Sequence, residues 1–195
     1  LLGYILYTQS FIPNLDPRSR SLTAPTSPGQ DPSTVNYPGP YQFDVKFSQL
    51  SRQGKNKHWD YSTDLRKLFI DMNKWVQAEF RVGPTPPEGL WIRALPVYAE
   101  ATHIREPVRR CPNHASPSDP TNQHPEASHP THLIRLEGTD TLYCEDKLSG
   151  RLSVIFQVLT PHQGSEFTQK LAKFMCLGSD VGGINRSPLK VASLF

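Results

Sequence analysis

The stretch YQFDVKF (residues 41–47) indicates the fold class of this chain. Aromatic and aliphatic side chains alternate here with Gln, Asp and Lys. A period of two is typical of a β-strand that has one face on the core and the other in water. Further short apolar runs are bounded by proline or glycine: LWIRALPVY (90–98), HLIRL (132–136), LSVIFQVLT (152–160), FTQKLAKFM (167–175) and PLKVASLF (188–195). Many short strands separated by such turns predict an all-β fold, a β-sandwich.

One segment departs from the strand pattern. In YSTDLRKLFIDMNKWV (61–76) the apolar residues recur at helical spacing, and Ser62 or Thr63 can cap the start. The apolar positions are Leu65, Leu68, Phe69, Met72, Trp75 and Val76. Taken alone, this periodicity predicts an amphipathic helix over residues 63–76.

The chain divides into a polar tail and one folded domain. Residues 12–40 hold seven prolines among serine, threonine, aspartate and glycine, and such a composition buries too little apolar surface to offset the entropy of ordering. We therefore expect a disordered Pro/Ser/Thr-rich tail over 1–35 and one folded domain over 36–195. Within the domain, the stretches 99–131 and 176–188 are longer than a sandwich needs, and long loops on a rigid scaffold tend to carry function.

Composition excludes several classes of protein. The 19 prolines and 12 glycines follow no Gly-X-Y period, which excludes collagen, and no apolar run approaches the roughly 20 residues of a membrane-spanning helix. Three cysteines are too few for a disulfide scaffold, so we expect a reducing compartment. Residues 51–110 carry 11 basic and 7 acidic side chains, whereas residues 111–160 carry 3 and 6. This asymmetry fits either a basic face for a polyanion or an ordinary solvated surface.

Two short pairs supply candidate metal ligands. Cys111-Pro-Asn-His114 is a C-x-x-H pair, and Cys176-Leu-Gly-Ser-Asp180 is a C-x-x-x-D pair. Together they offer two thiolates, one imidazole and one carboxylate, all of which are ligands for tetrahedral Zn²⁺. Each pair lies in one of the two long loops, so a single structural zinc ion can join the loops. The alternative is a buried thiol beside a surface imidazole without metal, and spacing alone leaves both interpretations open.

Basic residues in two glycine-containing loops are candidate nucleic-acid contacts. VGGINRSP (181–188) places Arg186 beside Asn185 on a Gly-rich loop, which suits a phosphate contact or insertion into a minor groove. GKNKH (54–58) is a basic loop from which Lys55 can reach DNA. In both loops the alternative is a turn that carries a solvated cation.

Catalytic motifs are missing from the sequence. There is no G-x-S-x-G, no Gly-rich phosphate loop and no H-E-x-x-H, so we expect no enzyme. The doublet Arg109–Arg110 either contacts phosphate or braces the adjacent loop through ion pairs. His124, His129 and His132 are interpreted as loop residues.

Six ordered motifs resemble those of a known family. They are NYPGPYQFDVKF, WDYSTDLRKLF, IRALPVY, PVRRCPNH, THLIRLEG and FMCLGSDVGGINRSP. This series, over about residues 36–195, closely resembles the DNA-binding domain of the p53/p63/p73 family of tumour-suppressor transcription factors, with FMCLGS similar to invertebrate members. The resemblance implies an immunoglobulin-like β-sandwich whose two large loops are pinned by one Zn²⁺. It also implies loop and short strand, rather than helix, over residues 63–76.

The resemblance implies a metal site. Cys111, His114 and Cys176 match three zinc ligands of the family, and Asp180 stands where the fourth ligand is a cysteine. Arg110 matches an arginine that supports the zinc loops.

The resemblance also implies DNA contacts. Lys55 falls where a lysine reaches major-groove base edges, Arg186 matches a minor-groove arginine, and Ser179 matches a phosphate contact. Asn185 lies beside the minor-groove arginine as a loop-supporting residue. Ser187 replaces an arginine that normally braces these loops.

By this resemblance the chain belongs to a transcription factor of the nucleus and cytoplasm that regulates stress-response and apoptosis genes. Its partners would be double-stranded DNA and other family protomers, in a tetramer of the full-length protein, with no membrane. The family's domain continues with a further strand and a base-reading helix, so we expect a domain that is incomplete at its C-terminal end. The alternative function is that of a truncated isoform, a protein-interaction or dominant module without specific DNA binding.

Overall fold

The part of the chain that the computed structural model describes contains twelve short strands and one α-helical turn. The described residues are 2–5, 8–11, 42–47, 58–62, 64, 67–83, 90–98, 100–123, 129–158, 167–177, 180–181 and 189–192. The first six strands are β1 (Leu2–Ile5), β2 (Thr8–Phe11), β3 (Asp44–Phe47), β4 (Trp59–Ser62), β5 (Lys67–Ile70) and β6 (Val76–Arg81). The other six are β7 (Trp91–Tyr98), β8 (Ile134–Leu136), β9 (Leu142–Glu145), β10 (Leu152–Gln157), β11 (Phe167–Phe174) and β12 (Leu189–Ala192).

The irregular stretch between β7 and β8 contains the helical elements. The α-helical turn α1 spans Pro112–Ala115, and 3₁₀ turns span Ala101–His103 and Pro120–Asn122. No helix in the described part of the chain is long and apolar enough to cross a membrane.

The strands form two sheets. One has the order β3-β6-β11-β8, with every pair antiparallel. The other has the order β4-β5-β1-β12-β7-β10-β9, with β2 also paired to β7. In this second sheet β1 and β12 are parallel, and the other pairs are antiparallel. The predicted all-β sandwich is therefore confirmed.

Alternating side chains explain how the two sheets pack. In β6, Val76, Ala78 and Phe80 are buried, whereas the intervening residues are half-buried. The ring of Phe80 meets that of Phe156 on β10 edge to face, with centroids 4.8 Å apart. Because β6 and β10 belong to different sheets, this contact lies in the apolar layer between them. Burial of these rings on folding supplies the main stabilisation of the sandwich.

The helix that periodicity predicts over residues 63–76 is wrong. Its described part contains all of β5, a turn, and the first residue of β6, as the family resemblance implied. Asn73 in the turn adopts a left-handed backbone conformation (φ 58°), and its N–H donates to the carbonyl of Phe174 at 2.8 Å. Two short buried strands joined by a tight turn place apolar residues at intervals that mimic a helix, and only the pairing partners distinguish the two.

Two strands lie within the segment assigned above to a disordered tail over residues 1–35. β1 pairs with β5 and β12, and β2 pairs with β7, so the sheet includes the apolar start of the chain. The reason is that LLGYILYTQSF is rich in residues that favour strands, unlike the proline-rich stretch that follows it. Residues 12–41 lie outside the described residues, and the domain boundary at residue 36 stays a prediction.

Candidate metal centre and nucleic-acid interface

Three metal-competent side chains converge from two separate parts of the chain. Cys111 occupies the position before the first turn of α1, and the N–H of Ala115 donates to its carbonyl at 2.9 Å. This single turn brings His114 onto the same side as Cys111. Cys176 comes two residues after β11, where the N–H of Met175 donates to the carbonyl of Leu133 at 2.9 Å. The helical turn α1 and the end of strand β11 thus meet at the candidate metal ligands.

The separations among the three donors fit a zinc ion. The Sγ atoms of Cys111 and Cys176 are 3.9 Å apart, and Nδ1 of His114 lies 3.2 and 3.4 Å from them. Tetrahedral coordination with Zn–S near 2.3 Å and Zn–N near 2.0 Å requires donor separations of about 3.5–3.8 Å. All three donor atoms lie within 4.8 Å of one another. The observed separations lie within about 0.3 Å of this range, so small side-chain adjustments would allow the three donors to hold Zn²⁺.

Asp180 stands beside this group. Its Oδ2 lies 3.6 Å from Nδ1 of His114 and accepts a hydrogen bond from the N–H of Leu177 at 3.4 Å. The carboxylate is outside the cluster of three mutually close donors, although it approaches the same imidazole nitrogen.

Burial shapes the acidity of one ligand. Cys176 is fully buried, and desolvation raises the pKa of its thiol to about 11. Burial without a metal therefore favours the protonated thiol, whereas a zinc ion stabilises the thiolate.

Arg110 joins the two parts of the chain that carry the ligands. Its side chain is buried, and Nε donates to the carbonyl of Met175 at 3.2 Å. One terminal nitrogen donates to Pro130 (3.0 Å) and to Asn122 Oδ1 (2.7 Å), and the other donates to Thr121 Oγ1 (2.9 Å). One guanidinium thus holds four acceptors from three segments, which fixes the stretch that carries α1 against the end of β11.

Sequence analysis missed the partners of this arginine. The amide nitrogen of Asn122 donates to the carbonyls of His114 and Ser116, both at 2.8 Å, which ties the 3₁₀ turn to α1. Asp119 caps that turn by accepting hydrogen bonds from the N–H and hydroxyl of Thr121, and the hydroxyl bond is the main reason that the pKa of Asp119 is lowered. The available signal was Asp-Pro at 119–120, an N-cap followed by proline in the first position of a turn.

Arg109 has a different environment from its neighbour. One of its terminal nitrogens lies 2.7 Å from Glu145 Oε1 on β9 and donates to the carbonyl of Gly150 at 2.8 Å. The sequence left two roles open for the Arg109–Arg110 doublet, a phosphate contact or an ion pair that braces the adjacent loop. In this structure Arg109 forms an ion pair.

Two of the three histidines interpreted as loop residues pack into an aromatic cluster. His129 stacks on Tyr143 with ring centroids 4.2 Å apart, and His132 meets both rings edge to face. His132 is buried, and desolvation lowers its pKa to about 4. His132 does lie in the irregular stretch before β8, as interpreted, but its ring is packed into the interior beside β9 rather than exposed. His124 lies outside the described residues.

The predicted DNA contacts fall outside the described part of the chain. Lys55, Ser179, Asn185 and Arg186 are among the residues that the structure does not describe. In the sequence, Arg186 follows Val181, the last described residue before it, by five positions.

The structure thus combines a two-sheet β-sandwich with a Cys/His/Cys cluster at the point where two separate segments meet. Residues 33–194 match the family model of the P53 DNA-binding domain, and the chain belongs to this family, which is non-enzymatic.

Several curated relatives carry the printed name "Cellular tumor antigen p53". The protein from Tetraodon miurus is 38% identical over 175 residues, which cover 89% of this chain and 45% of the relative. The protein from Oryzias latipes is 38% identical over 159 residues, which cover 81% of this chain and 43% of the relative. The protein from Oncorhynchus mykiss is 39% identical over 159 residues, which cover 81% of this chain and 39% of the relative. The chain thus spans less than half the length of these relatives.

Proposed function

We propose that this chain is the DNA-binding domain of a sequence-specific transcription factor, which contacts double-stranded DNA through Lys55, Ser179 and Arg186. The observation that carries the proposal is the convergence of Cys111, His114 and Cys176 from two loops in a chain of the P53 DNA-binding domain family. The loop that supplies Cys176 continues directly into the segment with Arg186. Ordering the first part of that loop limits the positions that the arginine can reach.

The proposed metal is one structural Zn²⁺ held by Cys111, His114, Cys176 and Asp180. When bound, it supplies a cross-link between the two loops. The chain's own residues do the rest: Arg110 holds the end of β11 against the Pro120–Asn122 turn, and Asn122 holds that turn against α1. Asn185 beside Arg186 supports the DNA-contacting loop.

The cellular part of the proposal rests on the resemblance to the p53/p63/p73 family, and the printed name of the curated relatives, a tumour antigen, is consistent with it. We place the full-length protein in the nucleus, as a regulator of stress-response and apoptosis genes that assembles with other protomers. These statements concern the whole protein, of which this chain covers a part.

The test is fluorescence anisotropy with a labelled duplex that carries the family's paired half-sites and with a scrambled duplex, each over a range of salt concentrations. We expect tighter binding to the half-site duplex and a log–log salt slope of about −0.9 for each phosphate contact. Arg186→Ala and Lys55→Ala should weaken binding, whereas Lys147→Ala, in the exposed turn after β9, serves as the matched control.

Equal binding to both duplexes, or no salt-sensitive binding by a folded chain, contradicts this proposal. That result would favour a protein-interaction module without specific DNA binding.

A further inference from the structure

A cavity of about 570 Å³ opens beside β8, away from the metal-competent cluster. Its lining includes Trp75, Thr121, Arg135, Glu137, Tyr143 and Lys173, and none of the candidate metal ligands. The volume is in the range of cavities that hold small organic ligands. The proposed DNA-binding function makes no use of it.

The wall of this cavity contains a buried cation, Arg135, that has no direct ion pair among the described residues, although the carboxylate of Asp119 acts on it from a longer distance. Arg135 on β8 is 6% exposed, and its terminal nitrogens donate only to neutral acceptors: the carbonyl of Thr121 at 3.3 Å and Oδ1 of Asn122 at 3.1 Å. Its Nε is buried and has no hydrogen-bond partner among the described residues. Burial also lowers the pKa of Arg135. A buried guanidinium without a direct ion pair is costly, and an anion in the adjoining cavity would offset that cost.

Arg110, the other buried arginine in this region, differs from Arg135 in two respects. It lies 3.9 Å from the carboxylate of Asp119, and it does not line the cavity. Of these two arginines, the one that lines the cavity is the one that has no direct ion pair among the described residues.

The rim adds a second cation and a flat apolar surface. Nζ of Lys173 lies 4.4 Å from the ring centroid of Trp75, whose side chain is 40% exposed. This cation–π contact holds the ammonium group at the mouth of the cavity. Glu137, exposed on the same rim, is the one carboxylate in the lining, so the lining carries one net positive charge.

We propose that this cavity binds a small organic oxyanion, a carboxylate or phosphate carried on a ring-sized skeleton. The charged group lies between Arg135 and Lys173, which both prefer oxyanions. The skeleton packs against the rings of Trp75 and Tyr143. Trp75 and the rim charges give this site a readout that is independent of zinc and DNA.

The proposal is tested by titrating the ¹⁵N-labelled chain with benzoate and with phenyl phosphate, followed through the indole N–H resonance of Trp75. Trp59 and Trp91, which do not line the cavity, are internal references. Benzyl alcohol supplies the ring without the charge, and inorganic phosphate supplies the charge without the ring. We expect saturable shifts at Trp75 with one or both organic oxyanions at millimolar concentration, and the preferred one identifies the ligand as carboxylate or phosphate.

Two substitutions of residues on the rim of the cavity should change the affinity for the oxyanion in opposite directions. Lys173→Gln should weaken binding at least about threefold, and Glu137→Gln should strengthen it by a similar factor, because they remove attraction and repulsion respectively. Lys147→Gln, in a distant exposed turn, should leave it unchanged. The proposal is overturned if Trp75 shows no saturable shift with either oxyanion, if benzyl alcohol or inorganic phosphate binds as well, or if neither rim variant changes the affinity.

Discussion

The carboxylate of Asp180 lies 3.6 Å from Nδ1 of His114, the same nitrogen that contacts the thiols of Cys111 and Cys176. An oxygen donor is thus placed next to a group of one nitrogen and two sulfur donors. Structural zinc sites are usually closed by cysteine or histidine, since thiolate binds Zn²⁺ more strongly than carboxylate does. The position of Asp180 is therefore the point at which this metal centre can be tuned.

Replacing Asp180 tests its role as a ligand. We expect Asp180→Cys to hold zinc at least about tenfold more tightly and Asp180→Ala to lose a similar factor, because the first supplies a softer ligand and the second removes one. The measurement is competition for zinc against a chromogenic chelator. Asp140→Ala, which removes a carboxylate that pairs with Lys170 at 2.6 Å, is the control. Equal zinc retention by the wild type and the alanine variant would show that Asp180 is not needed.

The adjacent residues Arg109 and Arg110 allow a matched comparison of how much each side chain contributes to the free energy of unfolding. Arg110→Lys replaces a buried guanidinium group that donates to four acceptors, and we expect a loss of about 3 kcal/mol in the free energy of unfolding. Arg109→Lys alters a half-exposed ion pair with Glu145 and a hydrogen bond to the carbonyl of Gly150, and it should cost less than about 1 kcal/mol. Urea unfolding of both variants measures the difference, and similar costs would contradict the role assigned to Arg110.

The contact between the sheets predicts a large effect of core truncation. Phe80→Ala removes a ring that is 2% exposed and packs on Phe156, and we expect a loss of about 3–5 kcal/mol. Phe80→Leu, which retains most of the apolar volume, should cost less than half as much. Thermal unfolding of the two variants gives the comparison, and an alanine variant as stable as the leucine one would argue against a close-packed interface here.

The buried imidazole of His132 predicts a dependence of stability on pH. Its pKa is about 4 in the folded chain and near 6.5 when unfolded, so below pH 6.5 the unfolded chain binds a proton that the native chain does not. Stability is then lost as the pH falls from about 6.5 towards 4, by at most about 3 kcal/mol, and is regained above pH 6.5.

The measurement for His132 is the unfolding free energy between pH 7.5 and pH 5 in the presence of a chelator, so that metal loss does not contribute. His132→Phe should flatten the profile, whereas Phe80→Leu, which removes no titratable group, should lower the stability without flattening it. A profile for His132→Phe that matches the wild type would rule out this histidine as the source.

Sequence patterns predicted the strands that form β3, β7, β8, β10, β11 and β12, because each has an apolar run bounded by turn residues. The same approach failed at β5 and β6. There the periodicity of Leu68, Trp75 and Val76 fits a helix as well as two strands, and the hydrogen bond from Asn73 to Phe174 that settles the turn is a long-range contact. The C-x-x-H pair predicted Cys111 and His114 as neighbours, since three residues make one helical turn.

The sequence by itself determined that this chain is an all-β domain with two pairs of potential metal ligands, since alternation and local spacing are properties of neighbouring residues. Only the tertiary structure decided that Cys176 meets Cys111 across 65 positions, that Arg110 is buried while Arg109 is not, and that His132 is an interior residue. These features depend on which strands pair and which side chains lose contact with water. Both are set by packing between segments distant in the chain, which local spacing does not encode.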